Sequence, residues 1–471
     1  MNKEQYNFHE EEEIDEIIQR YEEMLKSGET FYFDVFQIEM IIDSYIEEGN
    51  LYPALKVVET GLEQHPGSIN ILIKKASILL NLGETNSALS LINSLLLIEG
   101  TSPDLYLMKG TAHLVLGDLN EAKDNFAKTL KYSFGNNEEN YYNIGYAYEQ
   151  ANHFKKALSY FLKAFALNEK NEMVLYEIAY CYEKTGDNYK SIEFYNKYLD
   201  IDSFSDNAWF NLGILYNKLE KHKKAIEAYE FAVAINDDFA SAWFNLGNSY
   251  MLRKNFSKAI DAFTEFLRFD DSSDEICCII GDCHINNRDH EKAFEFYQRA
   301  VTFNKKNDRA WFGSALAMKL INDYHAAYKY LKKAVNIDYD NSEYWLFMAK
   351  ICRKLNLRSE TETAYERVCE LNPGKLTGWL KLSEHLHHNG MISKAISILE
   401  TSLFYHPANA VLHYRLSAYY FESMNEKNAV KHLKKALLVD ADKQNYLFDI
   451  LPEARLNETI VKLIDKYGNK S

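Results

Sequence analysis

The chain has 471 residues, with 69 acidic against 53 basic side chains and a net charge of −16. That balance disfavours binding to nucleic acid, whose phosphates need a basic stripe. Six cysteines without framework spacing exclude a disulfide-stapled secreted domain, and only six prolines suit a nearly all-helical chain.

Residues 1–34 hold eleven acids and three bases, so half of the net charge sits there. The run Glu10–Glu13 precedes a helical stripe of Ile14, Ile17, Ile18, Tyr21 and Leu25. Glutamates favour the positive end of a helix, so 1–34 reads as an acidic N-terminal capping helix rather than a tail that recruits a basic partner. No basic stretch leads into an apolar core, so no secretory signal is expected. The longest apolar run, near Leu89–Ile98, is too short to span a bilayer. The expectation is a cytoplasmic chain without membrane insertion.

From residue 35 onward a period of 34 governs the sequence. Trp209, Trp243, Trp311, Trp345 and Trp379, all the tryptophans present, fall at one phase, with Cys277 at the rung between the second and third. The phase extends to Leu175 and Tyr141 backward and His413 forward. After one extra residue near Asn136–Asn137 it continues through Tyr106, Leu72 and Ile38. Sixteen residues after each of these twelve rungs lies a small side chain: Ala54, Ala88, Ala122, Ala157, Ser191, Ala225, Ala259, Ala293, Ala327, Thr361, Ala395 and Ala429. Small residues at that spacing imply a close approach of two helices. In 206–236, Trp209, Leu212, Gly213 and Tyr216 form one amphipathic stripe, with Asp206 or Asn207 placed to cap it. A polar break at Glu220–Lys223 separates it from a second stripe at Ala225, Ile226, Tyr229, Ala232 and Val233. Two helices joined by a short turn make a helical hairpin that needs neighbours on both sides. No Pro/Gly/Ser-rich linker interrupts the period, so 35–443 reads as twelve tandem repeats and 444–471 as C-terminal capping helices.

In repeat six the residues Trp209, Leu212, Gly213, Tyr216, Ala225, Tyr229 and Ala232 resemble the tetratricopeptide repeat (TPR), and the resemblance covers roughly residues 35–443. The family's proline near the end of the second helix survives only as Pro66, Pro373 and Pro407. The resemblance implies an all-α fold: a right-handed superhelical solenoid of about twelve hairpins with capping helices, whose first helices line a concave groove.

No phosphate-cradling glycine loop, Gly-x-Ser-x-Gly elbow or His-Glu-x-x-His motif occurs, so no enzyme and no cofactor are expected. Cys277, Cys278, Cys283 and His284, with His385, His387 and His388, come nearest to a metal set. Cys277, Cys283 and His284 fall on core positions, however, and repeats three apart do not touch. The informative positions lie on the first helices outside the core stripe. Tyr142 and Tyr146, Tyr176 and Tyr180, Phe210, then Phe244 and Asn248 share one face, with Asn143, Asn211 and Asn245 one position after the first of each set. Glu177 interrupts the amide row at repeat five. A row of amides can bond an extended backbone while aromatics form pockets, and the row resembles the asparagine ladder in the repeats of O-linked N-acetylglucosamine transferase. Further along, Lys319, Lys350, Arg353, Lys354 and Lys381 make the face basic. No three consecutive repeats supply the family's clamp for acidic chaperone tails. The expected function is a non-enzymatic scaffold holding an extended segment of a partner protein, its identity unstated by the sequence. Self-assembly into a homo-oligomer through the ends or outer face is the alternative, and nucleic-acid binding a distant one.

Overall fold

The computed structural model describes residues 3–135 and 137–468, and the side chains of 14–135 and 137–467. Asn136, at the extra residue of the period, and the side chains of Glu10–Glu13 lie outside the described residues. Twelve hairpins run from Val35 to Val439, from the pair Val35–Glu47 and Leu51–Gln64 to the pair Ala410–Glu422 and Glu426–Val439. The described residues contain no strand, and no helix among them is long and apolar enough to cross a membrane.

Local signals set the helix ends. Ser68, Ser102, Asn171, Ser205, Ser273, Asn307, Asn341 and Asn409 cap first helices by accepting a backbone N–H three residues on. In repeat six the cap is Ser205, bonded by Ala208, one residue before the expected pair, because its hydroxyl is the group that reaches the third helical amide. The break there is Leu219–Lys221, and the second helix starts at His222. Eleven residues after every rung the chain takes a positive φ, at Gly49, Gly83, Gly117, Gly186 and Gly390 but also at Glu220 and Met424. That left-handed residue closes the first helix and turns the chain into the second.

All twelve members of the small-residue ladder have no exposed surface. The polar ones are satisfied: Ser191 Oγ donates to the Ala179 carbonyl at 2.7 Å, and Thr361 Oγ1 to Leu357 at 2.7 Å. The glycine four residues after the rung has its own reason. A Cβ on Gly247 would lie 2.7 Å from the ring of Phe263, and Tyr229 blocks Gly213 in the same way. The tryptophans serve a different purpose from plain core filling. Each donates its indole N–H to the carbonyl six residues earlier: Trp209 to Ser203 (3.0 Å), Trp243 to Asp237 (2.8 Å), Trp311 to Lys305 (3.0 Å), Trp345 to Tyr339 (2.7 Å) and Trp379 to Pro373 (2.9 Å). The rung therefore locks the loop that joins two repeats, and Tyr106 does the same to Gly100 through its hydroxyl at 3.1 Å.

Two compact units divide after Asn236. In the first, helix Lys3–Ser27 buries Tyr21 and Met24 in one cluster with Phe33, Ile38 and Ile41. Leu25, expected on that stripe, is exposed, because Met24 is the residue one turn from Tyr21 that meets the hairpin. In the second unit short helices follow the twelfth hairpin, ending with Glu458–Gly468, and bury Leu447, Leu451, Ala454 and Ile460. All six cysteines are buried free thiols.

Candidate functional site

The positions one, two, five and eight residues after the rung share one face of each first helix. In the first unit Tyr142 stacks on Tyr146 at 6.2 Å and leans over Phe161 at 5.7 Å. Burial, then the charge of Glu177, pushes the Tyr142 hydroxyl up to about 12, so it stays protonated and able to donate. Tyr176 meets Tyr195 and Tyr198 edge-on at 5.4 and 5.5 Å. Tyr180 lies edge-on to Phe154 at 6.1 Å with the Lys184 ammonium 4.8 Å above its ring. Phe210 leans on Tyr229 at 5.8 Å. In the second unit Phe244 packs against Phe263 and Phe266 at 6.1 and 5.7 Å. These rings thus cover the hairpin cores from the first-helix side.

The amides divide into two kinds. Asn211 Nδ2 donates to the hydroxyls of Tyr176 (2.9 Å) and Tyr195 (3.1 Å), tying repeat six to repeat five. Asn245 Nδ2 donates to the Ser241 carbonyl of its own helix at 2.8 Å. The half-buried side chains of Asn143 and Asn248 bond no described residue. The basic positions divide likewise. Arg353 and Lys381 lie 3.7 and 3.0 Å from the carboxylate of Glu384, which Arg415 also approaches at 4.0 Å. Burial works against ionisation of Glu384, but the Lys381 bond and the surrounding cations hold its carboxyl below the usual range. Lys319, Lys350 and Lys354 have no ion-pair partner among the described residues.

Other features of this face were not singled out from the sequence. Phe312 stacks on Tyr344 at 4.6 Å and meets Phe347 edge-on at 5.2 Å, beside the basic positions. Phe312 sits one residue after a rung, so the spacing that selected Phe210 and Phe244 also points to it. Glu384 and the buried carboxyl of Glu149, 8% exposed, escaped because their roles depend on the neighbouring repeat. Glu149 and Glu177 hydrogen-bond to each other, and the Cys181 thiol donates to Glu149 at 3.8 Å. Burial and then the charge of Glu149 push the Glu177 carboxyl up to about 8.

The metal candidates from the sequence are engaged structurally. His284 stacks on Phe296 at 5.5 Å, His385 faces the Arg358 carbonyl at 3.2 Å, and His387 pairs with Glu422 at 2.6 Å. Among the described residues no three His, Cys, Asp or Glu side chains are arranged to hold a metal ion.

Models of the tetratricopeptide repeat match residues 142–206, 207–239, 240–273, 274–307 and 308–341, which are hairpins four to nine without a break. No curated protein matches the chain. Among solved structures, the C-terminal part of a TPR repeat-containing protein from Cytophaga hutchinsonii is 15% identical, with 51% of this chain and 99% of that chain covered and a TM-score of 0.45. A tetratricopeptide repeat protein from Parabacteroides merdae is 17% identical, with 51% and 95% covered and a TM-score of 0.35. YrrB, a TPR protein with an unusual peptide-binding site, is 19% identical, with 38% and 93% covered and a TM-score of 0.35. The hairpins, their glycine and alanine contacts and the matched repeats agree: the chain carries tandem tetratricopeptide repeats, an architecture that generally serves as a protein-binding scaffold.

Proposed function

We propose that this scaffold holds an extended segment of a partner protein against the face of its first helices. In the first unit the surface comprises Tyr142, Asn143, Tyr146, Tyr176, Tyr180, Phe210 and Asn211. In the second it comprises Phe244, Asn245 and Asn248, then Lys319, Lys350, Arg353, Lys354 and Lys381. The observation behind this proposal is that several polar side chains on this face have no partner among the described residues, although first helices of adjacent repeats are elsewhere joined by ion pairs such as Lys74–Asp43 (2.6 Å) and Lys218–Glu183 (2.6 Å). Asn143 and Asn248 each offer a donor and an acceptor to a ligand backbone, and Lys319, Lys350 and Lys354 offer charge to an acidic stretch. Six buried thiols fit a reducing, cytoplasmic setting.

Selection of random peptides on the full chain tests this. The wild type should enrich a motif with acidic residues that is lost when Lys319, Lys350 and Lys354 become glutamate, with thermal melting unchanged. Equal enrichment by that variant would contradict the assignment of the basic face.

A further inference from the structure

The twelfth rung carries a titratable group where five others carry an indole. His413 is 2% exposed and its Nδ1 lies 2.9 Å from Nδ1 of His432, itself 7% exposed, on the second helix of the same repeat. His413 also bonds the backbone of Pro407, six residues earlier, which is the loop position that the tryptophans lock. Proline has no N–H, so the group bonded there is its carbonyl, and a carbonyl only accepts. With Nδ1 turned toward His432, it is Nε2–H of His413 that donates to Pro407. Nδ1 of neutral His413 is then an acceptor, and Nδ1–H of His432 supplies the proton between the rings.

That arrangement has room for one proton between the two facing nitrogens and none for a second. If both rings are charged, two N–H groups point at each other across 2.9 Å inside the core. We propose that the His413–His432 pair is an acid-operated latch: neutral, it closes the twelfth repeat on the eleventh, and protonated, it lets the twelfth repeat open. Opening would uncover the apolar side of the eleventh repeat only in an acidic setting, which makes that end of the chain a conditional surface.

The surroundings favour the neutral pair. Burial lowers both imidazoles below their usual value, His432 down to about 4, and Lys435 acts on both rings while Lys431 adds to the effect on His432. From the eleventh repeat, Glu400 accepts a bond from Tyr420 at 2.6 Å, and the Tyr420 ring stacks on His432 at 5.6 Å. That carboxylate is thereby committed to a hydroxyl. On the terminal side Asp440 and Asp442 act on Tyr414, and Asp440 pairs with Lys443 at 2.8 Å. The last helix packs on the same second helix and contributes Glu458 and Lys462, paired at 3.0 Å, with Asp465 and Lys466. A depressed histidine binds fewer protons folded than unfolded, so its contribution is complete above about 6.5 and is lost as pH falls toward about 4.

Hydrogen–deuterium exchange of the full chain at pH 7 and pH 5, corrected for intrinsic rates, tests the latch. Protection across residues 410–439 should fall by about tenfold or more at pH 5 relative to residues 240–266. His432→Phe keeps a ring against Tyr420, and His432→Gln keeps a donor toward His413, and neither titrates. In both variants only His413 still titrates, so their acid loss should be clearly smaller than that of the wild type. Equal wild-type protection at both pH values would overturn the proposal, as would an undiminished acid loss in both variants. An NMR titration giving either wild-type imidazole an ordinary value of about 6.5 would also overturn it.

Discussion

At the residue scale, the period separates side chains that look alike in the sequence. The alanine ladder and the tryptophan ladder both repeat every 34 residues, yet the first is fully buried and the second is a set of loop locks. Ala225 has no exposed surface between its two helices. Ala225→Leu should therefore lower stability by about 1–3 kcal/mol through overpacking, read as a shift in the urea midpoint. Trp243 is only half-buried, and its indole donates to Asp237. Trp243→Ala should cost about 2–3 kcal/mol, from one hydrogen bond and part of a ring's burial, rather than the larger cost of emptying a core cavity. A neutral Ala225→Leu would mean that the helices are spaced otherwise. The alanine positions were readable because only a close approach demands small residues at so fixed a spacing. The purpose of the tryptophans was not readable, since the carbonyl they reach belongs to a loop with no side-chain signature. Asn211 shows the same limit: its amide looks identical in sequence to that of Asn143, and only the tyrosines of repeat five distinguish a structural tie from an open donor.

At the scale of the elements, stacked first helices meet their neighbours through charge. Asp43–Lys74, Glu183–Lys218, Asp282–Arg309 and Arg353–Glu384 each join one repeat to the next with opposite signs, and Glu422 bonds His387 between repeats eleven and twelve. Repeats four and five instead place two acids together, Glu149 and Glu177. Burial and mutual repulsion hold Glu177 near 8, well above an ordinary carboxylate, so the folded chain keeps a proton that the unfolded chain releases. The contribution of this group is thus complete below about 4.5 and is lost as pH rises toward 8. Glu177→Gln is neutral at every pH and keeps a hydrogen-bonding end. It should raise stability at pH 8 by on the order of 1–2 kcal/mol, allowing for solvent at this face, and change little at pH 4. Chemical denaturation at the two pH values checks this, and a variant less stable than wild type at pH 8 would contradict it. The hairpins themselves were legible from amphipathic stripes, but this carboxyl pair was not. Glu177 read as an interruption of the amide row because the residue facing it, Glu149, is one repeat away.

At the scale of the whole molecule, the repeat was legible nearly everywhere, including hairpins one to three, outside the matched residues 142–341, where the rung, the left-handed turn and the buried alanine all recur. The face proposed for a partner was legible only as a list of positions, since engaged and open side chains alternate along it. The proposed partner lies on the first helices and not on the second. Site-specific photo-crosslinking from the full chain tests it most directly, using a selected peptide and a benzophenone side chain placed at Tyr146, at Phe312 or at Phe231, which is an exposed residue of a second helix. Adducts from Tyr146 or Phe312, with none from Phe231, are the predicted result. Adducts from Phe231 alone would place the partner on the opposite side of the repeats and contradict the account.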